Sequence, residues 1–292
     1  YFRWRQASFA QEQMHAGLLQ PDGAPAPALA EAKDAASKLE TLGPIGATCR
    51  DVALIFAYDA EWMTEIQPQG EGLSALWALF DCYSALRRLG VNVDIVPPAA
   101  DLAEYAMVVV PCLPIVPTAL AKALEQFQGQ IVDGPRTGSR DADFCMPDNL
   151  APGSLSPMLN LTVTRSESLA PGLEHDGDGW AIARWLDHVE GDAEPELTAA
   201  DGTVACWRNG KARYLASWPQ GALLDEVITR ACGDAGIATT PLPEGLRIRR
   251  TGNYLFAFNY SASEIALPDA FEGEVMIGAR TMPPASVMVL VG

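Results

Sequence analysis

Apolar residues recur along this chain with three textures. From Val52 to Tyr58 they run unbroken, as in strands buried on both faces. Leu73, Leu76, Trp77, Phe80, Tyr83 and Leu86 then recur at helical spacing, and Gly90 suits the residue just past a helix end. Val91 to Val96 predicts a second strand, and Met107 to Val110 a third, stopped by Pro111. Residues 117–128 suit a helix and Gln130 to Asp133 a fourth strand. This strand–helix alternation predicts an α/β fold with an open, doubly wound parallel sheet. Residues 134–180 are rich in Gly, Pro, Ser and Asp and predict mostly loop. Val204–Trp207 and Ala212–Trp218 flank Asn209-Gly210, a hairpin signal. Residues 220–235 predict one more amphipathic helix.

After Pro241 and Pro243 the runs shorten. Strands are expected at 246–250, 254–260, 263–267, 274–277 and 287–291, with turn residues between them. That pattern is a small antiparallel β-domain. Before Val52 the texture differs again. Residues 1–6 alternate as a strand already in progress, with Tyr1, Arg3 and Arg5 facing one way. Residues 21–29 carry three prolines and predict loop, residues 30–42 a helix, and Gly43, Pro44 and Gly46 a boundary. The expected domains are 1–47, 48–236 and 237–292. A strand at the first residue with nothing before it to pair with, and no initiator Met, predicts a chain that continues a longer one.

Charge narrows the function classes. The 292 residues include 20 basic and 37 acidic side chains, a formal charge of −17. That field repels phosphate backbones and anionic lipid, so nucleic-acid and membrane partners are not expected. No apolar run is long enough to cross a bilayer. The six cysteines are never closer than Cys206 and Cys232, so no zinc spacing is present. They predict reduced, mostly buried thiols in a cytoplasmic protein.

The densest chemistry lies at Arg3-Trp4-Arg5-Gln6 and Glu12-Gln13-Met14-His15. Three residues apart, Glu12 and His15 would share one face of a helical turn. A carboxylate beside an imidazole, with the flat face of Trp4, suits a polyol such as a sugar. The competing reading is a structural ion-pair cluster of Arg3, Arg5 and Glu12 around a core tryptophan. Metal binding is not expected, because a carboxylate-bridged pair would need a second Glu-x-x-His and the only other imidazoles are His175 and His188. Cys112 follows a strand as a nucleophile would, but prolines flank it where an elbow wants glycines. An amidotransferase-like enzyme using Cys112 is therefore a third reading. Asp176-Gly177-Asp178-Gly179 lacks the later ligands of a calcium loop and reads as a surface turn.

The run Phe2-Arg3-Trp4-Arg5-Gln6 with Glu12-Gln13-Met14-His15-Ala16-Gly17-Leu18 strongly resembles the last barrel strand and following loop of glycoside hydrolase family 42 β-galactosidases. Val52–Phe56 with Trp62, Val93–Val96, Asp101–Pro111 and Gly134–Gly138 resemble that family's middle domain. Leu242–Gly245, Arg249-Arg250 and Phe258–Ser261 resemble its C-terminal β-domain. The resemblance implies retaining hydrolysis of terminal β-galactosides without a cofactor. It implies a (β/α)8-barrel remnant at 1–47 and a homotrimer formed through 48–236. It also implies that the middle domain is flavodoxin-like, similar to class I glutamine amidotransferases without their catalytic cysteine. It implies that Glu12 and His15 bind galactose hydroxyls; Trp4, read from its flat apolar face, is a further candidate substrate-binding residue. No catalytic residue is assigned. The family's acid/base Glu follows an Asn, no Asn here is followed by Glu, and both catalytic glutamates are expected upstream. The alternative is a stand-alone, non-enzymatic oligomerisation scaffold.

Overall fold

The computed structural model describes residues 2–9 and 11–292. The first helix, α1 (Pro27–Leu42), starts three residues earlier than its composition predicts, because Pro27 sits in its first turn. It buries only Leu42.

The central region runs β1 (Val52–Ile55), α2 (Tyr58–Ile66), α3 (Ala75–Arg88), β2 (Val93–Val96), β3 (Met107–Val110), α4 (Thr118–Gln126) and β4 (Gln130–Asp133). It continues through the short helix α5 (Ser156–Leu159), then β5 (Leu161–Ser168), β6 (Glu174–Asp176), β7 (Ala181–Ala183), β8 (Trp185–Gly191) and β9 (Glu194–Thr198). β10 (Val204–Asn209), β11 (Ala212–Leu215) and α6 (Gly221–Asp234) complete it. Seven strands form one sheet in the order β2-β1-β3-β4-β11-β10-β9. The pairs from β2 to β11 are parallel, and β10 and β9 add antiparallel strands at one side.

Alternation along the strands explains the unbroken apolar runs. Val52, Leu54, Met107 and Val109 enter one core, whereas Ala53, Ile55, Val108 and Val110 enter the other. Leu120 and Leu124 of α4 cover the second face. Leu79 and Leu86 of α3, with Leu223, Leu224, Val227 and Ile228 of α6, cover the first. Ser74 caps α3 by accepting from Trp77 N at 3.2 Å. At the other end Gly90, at φ +73°, allows its own N–H to reach Arg87 O and the Val91 N–H to reach Leu86 O.

The last region carries β12 (Leu246–Thr251), β13 (Tyr254–Asn259), β14 (Ile265–Ala266), β15 (Glu274–Ile277), β16 (Thr281–Met282) and β17 (Ser286–Val291). Four of them form the antiparallel sheet β12-β13-β17-β15, and β14 pairs with β16. Its core centres on Leu246, Ile248, Ala257, Met288 and Leu290. Asn92 clasps the two regions together, donating to Arg250 O at 3.0 Å and accepting from Arg250 N at 3.1 Å.

Three expectations need correction. Residues 1–6 do not form a strand: Tyr1 lies outside the described residues, and Arg5 makes a single parallel bridge to Leu19. One short neighbour cannot build a ladder. Helix α2 was not foreseen, because its apolar residues lie among acids and beside the preceding strand. Residues 134–180 are mostly loop, as expected, but they also carry α5, β5 and β6, and β5 pairs with β8 across seven registered positions. Thr162, Thr164, Arg165 and Ser166 made β5 look like coil, and only its partner satisfies its backbone. The hairpin turn is one residue later than predicted, since Asn209 pairs with Ala212 and leaves Gly210-Lys211 as the loop.

Candidate functional site

The Glu12–His15 loop is carried by a small backbone frame. Leu18 N donates to Arg3 O at 3.0 Å, Leu19 N to Trp4 O at 2.9 Å, and Gln6 N to Leu19 O at 2.9 Å. Ala26 N donates to Leu18 O at 3.0 Å, so the segment before α1 closes the frame. Gly17 makes the close approach feasible. A Cβ there would meet Gln6 N at 2.7 Å, Arg5 C at 2.8 Å and Arg3 O at 2.9 Å. Leu18 is the buried anchor.

Between these strands of the frame the chain turns rather than forming a helix. His15 N donates to Glu12 O at 3.2 Å, closing the turn that carries both residues. The Arg3 guanidinium pairs with the Glu12 carboxylate. The His15 ring meets Phe2 edge-on at 6.1 Å. Gln6 Nε2 donates to Gln13 O at 2.7 Å and steadies the loop. Trp4 is 68% exposed. The ion-pair reading is therefore half right: Arg3 and Glu12 do pair, yet Trp4 is not core. Among the described residues, no ring contact or hydrogen bond joins the Trp4 side chain to Glu12 or His15. A carboxylate held by one arginine, an imidazole and a free indole face form a surface that can accept hydroxyl protons and cover an apolar sugar face.

The other candidates resolve differently. Cys112 is buried, and burial pushes its thiol up to about 12. The imidazoles are engaged elsewhere: His15 with Phe2, His175 with Asp201 at 2.7 Å, and His188 with Arg165 at 2.8 Å. A thiol so protonated, without a base, is no nucleophile, and the amidotransferase-like reading of Cys112 falls. Asp176 and Gly177 sit in the β6–β7 hairpin, where Gly177 N donates to Trp180 O at 2.7 Å. Among the described residues, no group of three His, Cys, Asp or Glu side chains could hold a metal ion.

Sequence reasoning missed a second polar cluster at the carboxyl ends of β4 and β11. Asp187 is buried and accepts from Ser166 Oγ at 2.5 Å, Tyr214 Oη at 2.7 Å and Trp185 Nε1 at 2.9 Å. Burial pushes its pKa up despite these donors. Asp133 is fully buried beside Thr137 and the Gly134 amide, and burial holds its pKa well above the usual carboxylate range despite them. Nothing in the linear sequence marks these two aspartates, because their surroundings come from residues distant in the chain.

Known proteins match this architecture in order. A family model described as "Beta-galactosidase" matches residues 1–42, one described as "Beta-galactosidase trimerisation domain" matches 50–238, and one described as "Beta-galactosidase C-terminal domain" matches 245–292. A beta-galactosidase of Thermus thermophilus is 43% identical over 99% of this chain and 45% of its own length. The structure of beta-galactosidase from the psychrophilic Marinomonas ef1 superposes with a TM-score of 0.93 at 35% identity, covering 100% of this chain and 46% of that one. The Halorubrum lacusprofundi beta-galactosidase gives a TM-score of 0.90 at 32% identity, over 100% and 47%. The chain thus spans about half the length of the relatives it matches.

Proposed function

Because the chain belongs to the glycoside hydrolase family 42 β-galactosidases, we propose that it supplies the C-terminal part of a retaining β-galactosidase acting on terminal non-reducing β-D-galactosides. The observation that carries this reading is the Glu12–His15 loop. It lies inside the stretch matched by the catalytic family model, and it presents a paired carboxylate, an imidazole and an indole to solvent. In this reading Glu12 and His15 bind galactose hydroxyls and Trp4 lies against the sugar. Residues 1–47 end the catalytic barrel, 48–236 assemble a homotrimer, and 237–292 form the β-cap.

Retaining hydrolysis uses two carboxyl groups about 5–5.5 Å apart, as acid/base and nucleophile. Both are assigned to the region preceding Tyr1, so the chain alone should not turn over a galactoside. The sheet order, with five parallel strands arranged 2-1-3-4-5, supports a flavodoxin-like middle domain similar to class I amidotransferases. The trimer reading is supported by an aromatic face on α2 and α3, where Tyr58, Trp62, Trp77 and Phe80 are more than half exposed. Six unpaired cysteines suit the cytoplasm.

The test is to read the coding DNA that precedes Tyr1. An open frame carrying an Asn-Glu and a later strand-end Glu supports the proposal. A start codon next to Tyr1 would favour the non-enzymatic scaffold instead.

A further inference from the structure

A second cleft lies away from the Glu12 loop, over the carboxyl ends of β4 and β11. Its volume is ≈ 240 Å³. That is below the about 300–1,000 Å³ of pockets for drug-sized ligands, so it suits something smaller. Arg136, Arg140, Trp185, Ser166 and Asp187 all line it.

The two arginines are unusual for this molecule. Arg136 is 3% exposed and donates to Gln67 O at 2.8 Å and Pro68 O at 3.1 Å. Arg140 donates to Gln67 Oε1 at 2.9 Å and to Ser139 O at 2.7 Å. Both guanidinium groups therefore converge on Gln67. Among the described residues, neither has a carboxylate within ion-pair distance. The facing carboxylate, Asp187, already accepts from Ser166, Trp185 and Tyr214. Arg136 instead lies over the Trp185 ring, 5.6 Å from its centroid.

Arg213 shows how the same chain treats a buried arginine that is purely structural. It is fully buried, grips Glu196 through two bonds of 2.8 and 2.9 Å, and also pairs with Asp234. Buried charges are normally paired in this way. The Arg136–Arg140 pair has spare N–H donors and borders a cavity, and the one carboxylate facing it, Asp187, is engaged by three other donors rather than by either guanidinium.

We infer that this cleft binds a small oxyanion, a carboxylate or phosphate group gripped by Arg136 and Arg140 above the Trp185 ring. Guanidinium forks match the paired oxygens of either group. The net charge of −17 repels anions at long range, so capture must rest on this local pair and weaken as salt screens it.

Isothermal titration calorimetry on the full chain at low ionic strength tests it, with inorganic phosphate, citrate and the neutral solute urea as probes. Saturable binding of phosphate or citrate with a Kd of about 1 mM or tighter is expected, with no saturable heat from urea at the same concentrations. Phosphate alone would identify a phosphate ligand, citrate alone a carboxylate, and both outcomes support the site. Arg140→Ala should weaken binding about tenfold or more. Arg140 is partly exposed, so that variant should melt like the parent, and Arg230→Ala on α6 should bind unchanged. No saturable anion binding, equal binding of urea, or full binding by Arg140→Ala would overturn the inference.

Discussion

From Gln11 to Ala16 every side chain stands in solvent, whereas every side chain of β1, β3 and β11 is buried. The two regions treat chemistry in opposite ways. In and beside the sheet, burial disables it: Cys112 keeps its proton, burial pushes the Asp133 carboxyl well above its usual range, and Arg213 is locked between acids. In the loop, Glu12 and His15 are held by backbone bonds and one arginine, and their polar atoms stay reachable. Rigidity comes from the frame, not from packing around the side chains. The loop proposed to meet a sugar is therefore placed where this chain has least core.

The sharpest way to break that contrast is to remove core on one side of it. Leu54 is fully buried in β1, and Leu54→Ala should cost about 2–5 kcal/mol in urea unfolding. A loss below 1 kcal/mol, on the order of a surface change, would mean that the sheet is not the stabilising unit. Gly17→Ala tests the frame. Its Cβ would strike the backbone of residues 3–6, costing about 1–3 kcal/mol locally. Hydrogen exchange should then speed at the Leu18 and Leu19 amides, while those of β1 and β3 stay protected.

Acidity gives a third contrast. The folded pKa of Asp133 is raised, so the folded state holds its proton more tightly than the unfolded chain. Its contribution is complete below the ordinary carboxylate value of 3.8 and is lost as pH rises through the folded pKa. Asp133→Asn should therefore gain stability relative to the parent as pH rises above that value. Parallel stability curves between pH 4 and 8, the order of range over which such linkage acts, would contradict it. The smallest effect belongs to the loop. Trp4→Ala and His15→Ala should shift stability by no more than about 0.5 kcal/mol. A larger loss on thermal unfolding would make these residues structural.

How much of this was legible follows from where each residue finds its partners. β1 and β3 could be read because burial on both faces demands Val, Leu, Ile and Met in succession. The β5–β8 pair could not, since Thr164, Arg165, Ser166 and Glu167 satisfy a partner far along the chain rather than an apolar core. The same limit hid Asp187, whose donors Ser166 and Tyr214 lie 21 and 27 residues away. Glu12 and His15 could be grouped by spacing, and their chemistry suggested a polyol, but the proposal that they hold galactose rests on resemblance. The ion pair of Glu12 with Arg3 could be guessed from charge, but the exposure of Trp4 could not.

The most direct measurement is the steady-state kinetics of Glu12→Gln and His15→Ala on a galactoside, in the proposed full-length β-galactosidase of which this chain would be the C-terminal part. Each side chain would lose a hydrogen bond to a sugar hydroxyl, so kcat/KM should fall about 10- to 100-fold. The melting temperature should hold, because both side chains are exposed. An unchanged kcat/KM in both variants would contradict the assignment of this loop to galactose.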